Sequence, residues 1–271
     1  MITEKLALRI PLLYTLYSRG GIFTVINNYI YGPTILVLYA LLFTDIPNII
    51  NFVSVIVISY ILFALQYEIG YLTNDLISVK TEVGPTIRTQ SIYSFKKSAQ
   101  VIACRLLYII LIYVGVFASN FYVDFFLGIF LCLLIGLSLV YLAHNFLHLI
   151  STSLRVITFS LLKISFWFLP SLYALTQFSS EVQKMFVVTF LGAYIFYLHS
   201  YTGNKKWHKN LINKYLPKDL ELRLILFITF VYIVYYVLIS VNIFTLEFIG
   251  YIYSYIIFFW ILRVILRLIK N

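Results

Sequence analysis

Apolar residues in this chain run in blocks of about twenty, the length a helix needs to cross a bilayer core, and polar residues gather in the short stretches between them. Blocks near 22–43, 49–72, 98–118, 122–142, 156–176, 184–201, 222–241 and 246–267 predict about eight transmembrane α-helices. Pro33 and Pro170 fall inside or beside such blocks, where neighbouring helices re-satisfy the backbone groups that a proline frees. Residues 1–20 mix Lys5, Arg9 and Arg19 with apolar positions and offer no small-residue cleavage site. They read as a retained interfacial segment.

Composition sharpens this picture. Hydrophobic residues make up 62% of the 271 positions and charged residues 11%, against about one quarter charged in soluble domains. That balance excludes an ordinary soluble fold and leaves one integral membrane domain over residues 1–271. The net charge of +10 comes from Lys and Arg in the short loops, a pattern that reports topology and anionic headgroups and gives no support to nucleic-acid binding. Cys104 and Cys132 both lie inside apolar blocks, so a disulfide framework is not expected.

The cations also assign sides. Lys5, Arg9 and Arg19, then Lys80, Arg88, Lys96 and Lys97, then Lys205, Lys206, Lys209, Lys214 and Lys218 fall on one side of the predicted topology, joined by Arg155, Arg263, Arg267 and Lys270. The opposite loops carry Asp45, Asp124, Glu181 and Glu247, with Lys184. By the positive-inside rule both termini are expected in the cytoplasm of a multi-pass cell-membrane protein. The polar chemistry then concentrates in two cytoplasmic loops, 74–97 and 202–219.

The first loop follows the second block, where residues 67 to 88 read YEIGYLTNDLISVKTEVGPTIR. Glu68, Asp75 and Glu82 recur every seven residues, so on a continuous helix they drift only about 20° per step and form one stripe. Carboxylates ending a membrane helix are costly unless they face a cavity, a cation or a partner charge. The segment Asn74-Asp75-x-x-Ser78-x-x-x-Glu82, followed by Pro85-Thr86-Ile87-Arg88, resembles the aspartate-rich motif of the UbiA superfamily of intramembrane prenyltransferases. That motif is Asn-Asp-x-x-Asp-x-x-x-Asp after the second helix, with a Pro and Arg element beyond it.

The resemblance implies an all-α, polytopic transmembrane bundle of eight or nine helices. It implies an enzyme that moves a prenyl or phosphoribosyl-type group between a diphosphate donor and a lipid or aromatic acceptor, with Mg²⁺ holding the diphosphate. Carried over residue by residue, Asp75 and Glu82 are the catalytic carboxylates and metal ligands, Asn74 is a ligand or orienter, and Arg88 clamps phosphate, with Lys80 beside them. The chemistry is sound, because Mg²⁺ takes one or two carboxylates plus substrate phosphates and stabilises charge on the departing oxygen. The expected partners are an isoprenoid diphosphate or a polyprenyl phosphate lipid, in contact with membrane lipids.

The chain departs from the family in its two acidic motifs and in its count of spans, about eight against the family's nine. The middle Asp of the first motif is Ser78, and the second acidic element, expected ahead of Gly203, falls on Ile195 and His199. Lys205 and Lys206 remain, and with Arg88 they are candidates for neutralising phosphate. Lys163 lies about 10 Å into the fifth block, where it either snorkels to the interface or points inward at an anionic group. His144 and His148, one turn apart at the end of the fourth block, fit interfacial hydrogen bonding better than a metal site. The missing carboxylates keep a second reading open, a non-catalytic lipid-binding or transport protein on a UbiA-like scaffold.

Overall fold

The computed structural model describes residues 4–18, 44–76, 95–146 and 168–179, with single helical positions between 34 and 42, between 158 and 166, and at 183. Nearly all of these belong to a compact unit, Met1–Phe178. The described residues are helical, with no strand among them. The predicted blocks 22–43 and 156–176 are described only in part, and those beyond residue 183 lie outside the described residues.

Two short helices open the chain, α1 (Glu4–Arg9) and α2 (Leu13–Ser18). Three long ones follow: α3 (Ile49–Leu76), α4 (Phe95–Ala118) and α5 (Val123–Phe146), then a short α6 (Leu172–Thr176). Each of α3, α4 and α5 is long and apolar enough to cross a membrane. Their exposed surfaces carry rows of large apolar side chains, among them Val53 and Val57 on α3, Leu107 and Leu111 on α4, and Ile135 and Leu139 on α5. A soluble monomer does not leave that much contiguous apolar surface in water. Against lipid tails the same residues are at home, and the chain is a membrane protein with three described spans.

The contacts fix the directions of the helices. Gln66 of α3 bonds Ser138 of α5, and Gly70 lies against Tyr141; both indices rise together, so α3 and α5 are parallel. Glu68 instead meets Arg105, while Leu72 and Leu76 lie near Val101 and Ile102, so α3 and α4 run antiparallel. The turn from α4 to α5 takes only residues 119–122, with Asn120 and Tyr122 in the left-handed region (φ 51° and 48°). Asn tolerates that conformation through its short polar side chain. A π-helical turn, Phe126–Phe130, interrupts α5 around Gly128 (φ −80°, ψ −108°).

The core between these helices is aromatic. Tyr67 packs edge-on to Tyr141 with ring centroids 4.8 Å apart, and edge-on to Tyr71 at 5.0 Å, the geometry that ring quadrupoles favour. Phe63 and Phe166 extend the cluster. A Cβ added at Gly70 would collide with the ring of Tyr141. The missing side chain is what lets α3 approach α5 here, the role small residues play between membrane helices.

The amino-terminal segment differs from the single interfacial helix expected. It is two helices broken at Ile10-Pro11-Leu12, and its Ala7, Leu8 and Tyr14 are buried against Leu72 and Leu76 of α3. Proline disfavours helical geometry in the residue before it, which stops α1. Leu12 then turns the chain at φ 72°, a conformation rare for a bulky side chain and worth roughly 1–2 kcal/mol against it.

Candidate functional site

A buried ion pair holds that break. Glu68 of α3 and Arg105 of α4 both have fully buried side chains, and Arg105 Nε donates to Glu68 Oε2 at 3.1 Å. The helix ends explain what else the two do. A helix leaves its last carbonyls and first amides without intrahelical partners, and a break in the middle of a segment exposes both sets at once. Arg105 donates through Nη1 to the carbonyl of Leu8 (2.6 Å) and through Nη2 to those of Ala7 (3.0 Å) and Ile10 (3.1 Å). Glu68 accepts the amides of Leu12 and Tyr14, each at 2.8 Å, and that of Thr15 at 3.3 Å. The cation faces the negative end of α1 and the carboxylate the positive end of α2, so both charges also match the helix dipoles.

Seven residues along the same face, Asp75 is 2% exposed at the end of α3. Its Oδ2 accepts the hydroxyl of Tyr14 at 2.9 Å, and its Oδ1 accepts the side-chain amide of Asn74 at 2.9 Å. Tyr14 itself is fully buried. The two carboxylates of the stripe thus both face the amino-terminal segment, one through its backbone and one through a side chain.

On α5, Asn145 lies one turn beyond Tyr141, the residue against which Gly70 of α3 packs. Asn145 is 2% exposed, and among the described residues neither its nitrogen nor its oxygen has a hydrogen-bond partner. His144 beside it bonds Thr158 through Nδ1 at 3.1 Å. A buried amide with nothing to bond is uncommon and marks a place where a polar group is missing.

Of the candidate ligands and phosphate-binding residues, Asn74 and Asp75, neighbours in sequence, lie among the described residues. Lys80, Glu82, Arg88, Lys163, Lys205 and Lys206 lie outside the described residues, as does His148. Among the described residues no three His, Cys, Asp or Glu side chains come together as a metal centre. Arg105 and Tyr14 were not among the sequence candidates. Arg105 carried a signal all the same: an arginine within an apolar block needs a counter-charge, and Glu68 was the carboxylate at matching depth.

No protein-family model, curated protein or solved structure matches the chain.

Proposed function

We propose that the protein is a UbiA-like membrane transferase, an all-α bundle of eight or nine helices in the cell membrane with both termini cytoplasmic, acting on an isoprenoid diphosphate or polyprenyl phosphate. The observation that carries this reading is Asp75. It is a carboxylate buried at the end of a membrane-length helix, with Asn74 bonded to it, at the place where the sequence resembles the family's diphosphate motif. Burial of an ionisable group at such a depth is expensive and favours a functional role. The buried amide of Asn145, without a partner among the described residues, supports it, because it leaves a polar ligand something to bind.

Asp75 and Asn74 offer the hard oxygen donors that Mg²⁺ takes, with Glu82 as the further candidate. Mg²⁺, when bound, supplies positive charge to the departing diphosphate. The chain's own share is to hold the phosphates with Arg88, to orient the donor through Asn74, and to exclude water with apolar walls.

The test is release of inorganic diphosphate by the purified protein from a prenyl diphosphate, or from phosphoribosyl diphosphate with a polyprenyl phosphate acceptor, in the presence of Mg²⁺. Mg²⁺-dependent release that Asp75→Asn abolishes is the expected result. A second reading, a lipid-binding scaffold without catalysis, is favoured by the engagement of both Asp75 oxygens within the protein. No release with either donor, together with a polyprenyl lipid that co-purifies, would favour it.

A further inference from the structure

The hydroxyl of Tyr14 stands where a ligand of Asp75 would have to bind. Asp75 is almost wholly buried, and the group on its Oδ2 comes from a segment 61 residues away in sequence. We propose that residues 4–18 form a lid: Tyr14 latches onto Asp75 in the closed state, and a Mg²⁺-bound diphosphate reaches the carboxylate only when this segment withdraws.

Three features make the segment suited to that work. Its buried apolar contribution is small, chiefly Ala7, Leu8 and Tyr14 on Leu72 and Leu76, and within a membrane apolar contact drives association only weakly. Its attachment is instead polar and concentrated, at Glu68, Arg105 and Asp75. The clamp at Glu68 and Arg105 holds the backbone of the break, so it sets the position from which the Tyr14 hydroxyl reaches Asp75. Finally, Leu12 is held at positive φ in the middle of the segment, and a residue kept in a sparsely populated conformation is characteristic of elements with a second state.

The hydroxyl also mimics a ligand chemically. It gives a buried carboxylate one charge-assisted hydrogen bond, which a metal ion or a phosphate-bound metal would replace. Tyr14→Phe keeps the ring in its apolar seat and removes the hydroxyl's bond to Asp75 Oδ2, which weakens the closed state. The open state, where water or ligand reaches the carboxylate, then gains population. A hydrogen bond to a charged group is worth enough to shift such an equilibrium about tenfold.

The lid and its ligand can be tested separately. In protein carrying Cys104→Ser and Cys132→Ser, a single cysteine is placed beneath the segment as Leu76→Cys, and its labelling by a water-soluble maleimide is timed. Tyr14→Phe should speed labelling about tenfold. Asp75→Asn, which takes the charge from the other end of the same bond, should speed it too and serves if Tyr14→Phe folds poorly. Equal rates in all three proteins would overturn the lid. Mg²⁺ with inorganic diphosphate forms the second arm, which rests on the transferase reading of Asp75: it should speed labelling in the parent and bind more tightly to Tyr14→Phe. If Tyr14→Phe opens the segment while Mg²⁺ and diphosphate change nothing, the lid stands and the diphosphate reading falls.

Discussion

Arg105 and Glu68, 37 residues apart, meet at 3.1 Å with neither side chain exposed, and between them they bond the carbonyls that end α1 and the amides that begin α2. A break between helices buried in protein is tolerated only where the protein satisfies the freed backbone. Here one ion pair does so from both sides. Taking two charges out of water costs several kcal/mol each, and the six backbone bonds are what offsets that cost.

The first prediction follows from that arrangement. Arg105→Met strips the buried Glu68 of its counter-charge and removes the donors to Ala7, Leu8 and Ile10, so it should destabilise the protein by about 3–5 kcal/mol. Arg105→Lys keeps the charge but not the fork, since an ammonium cannot reach a carboxylate and three carbonyls in their fixed directions; it should cost about 1–3 kcal/mol. Thermal unfolding of the purified protein in detergent measures both. A stability for Arg105→Lys equal to the parent would mean that the backbone bonds contribute nothing.

Two glycines should respond in opposite directions to the same substitution. Gly70→Ala drives a Cβ into the Tyr141 ring, itself held by Tyr67 and Tyr71, and should cost about 1–3 kcal/mol by overpacking. Gly115 on α4 has nothing within 4 Å of its Cβ position, and alanine is the better helix former by about 1 kcal/mol, so Gly115→Ala should be neutral or stabilising. The same unfolding measurement compares them directly. A stable Gly70→Ala would show that α3 and α5 do not approach at this point.

The three long helices were legible because an uninterrupted apolar run of that length has few other uses. Their ends were less so: α3 continues to Leu76 and α5 to Phe146, each four residues past the apolar block. The reason is visible in α3, where Asn74 and Asp75 are partnered and so can remain in a helix packed on protein. The acidic stripe was legible from its spacing, and Glu68 and Asp75 do share a face. Its partner in space was not, because nothing in the local pattern connects Tyr14 or Arg105 to it. Pro11 gave the one sign that the first segment is broken.

The topology supports a further prediction. Tags at the amino terminus and beside Lys206 should both be reached from the cytoplasm, since Lys5, Arg9 and Arg19 and the cluster from Lys205 to Lys218 hold much of the positive charge. Labelling the Lys206 loop from outside intact cells would overturn the sidedness read from the cations.

The last prediction separates residues of the proposed site from residues of the topology. Asp75 and Glu82 suffice for one Mg²⁺ that shares its coordination with substrate phosphates, but two ions would need more carboxylates than this sequence keeps. Diphosphate binding should therefore lean on the cations as well as on the metal. Removing a charged partner from a poorly hydrated site costs about 2–5 kcal/mol, so Asp75→Asn and Arg88→Ala should each weaken binding of a prenyl diphosphate by at least about tenfold. Lys214→Ala, outside the proposed site, should leave affinity within about twofold. The measurement is a Mg²⁺ titration at fixed diphosphate for the parent and each variant. Saturation by a single ion, lost in Asp75→Asn and retained in Lys214→Ala, is the expected pattern. Unchanged affinity in Asp75→Asn with no response to Mg²⁺ would remove the transferase from consideration and leave the lipid-binding scaffold.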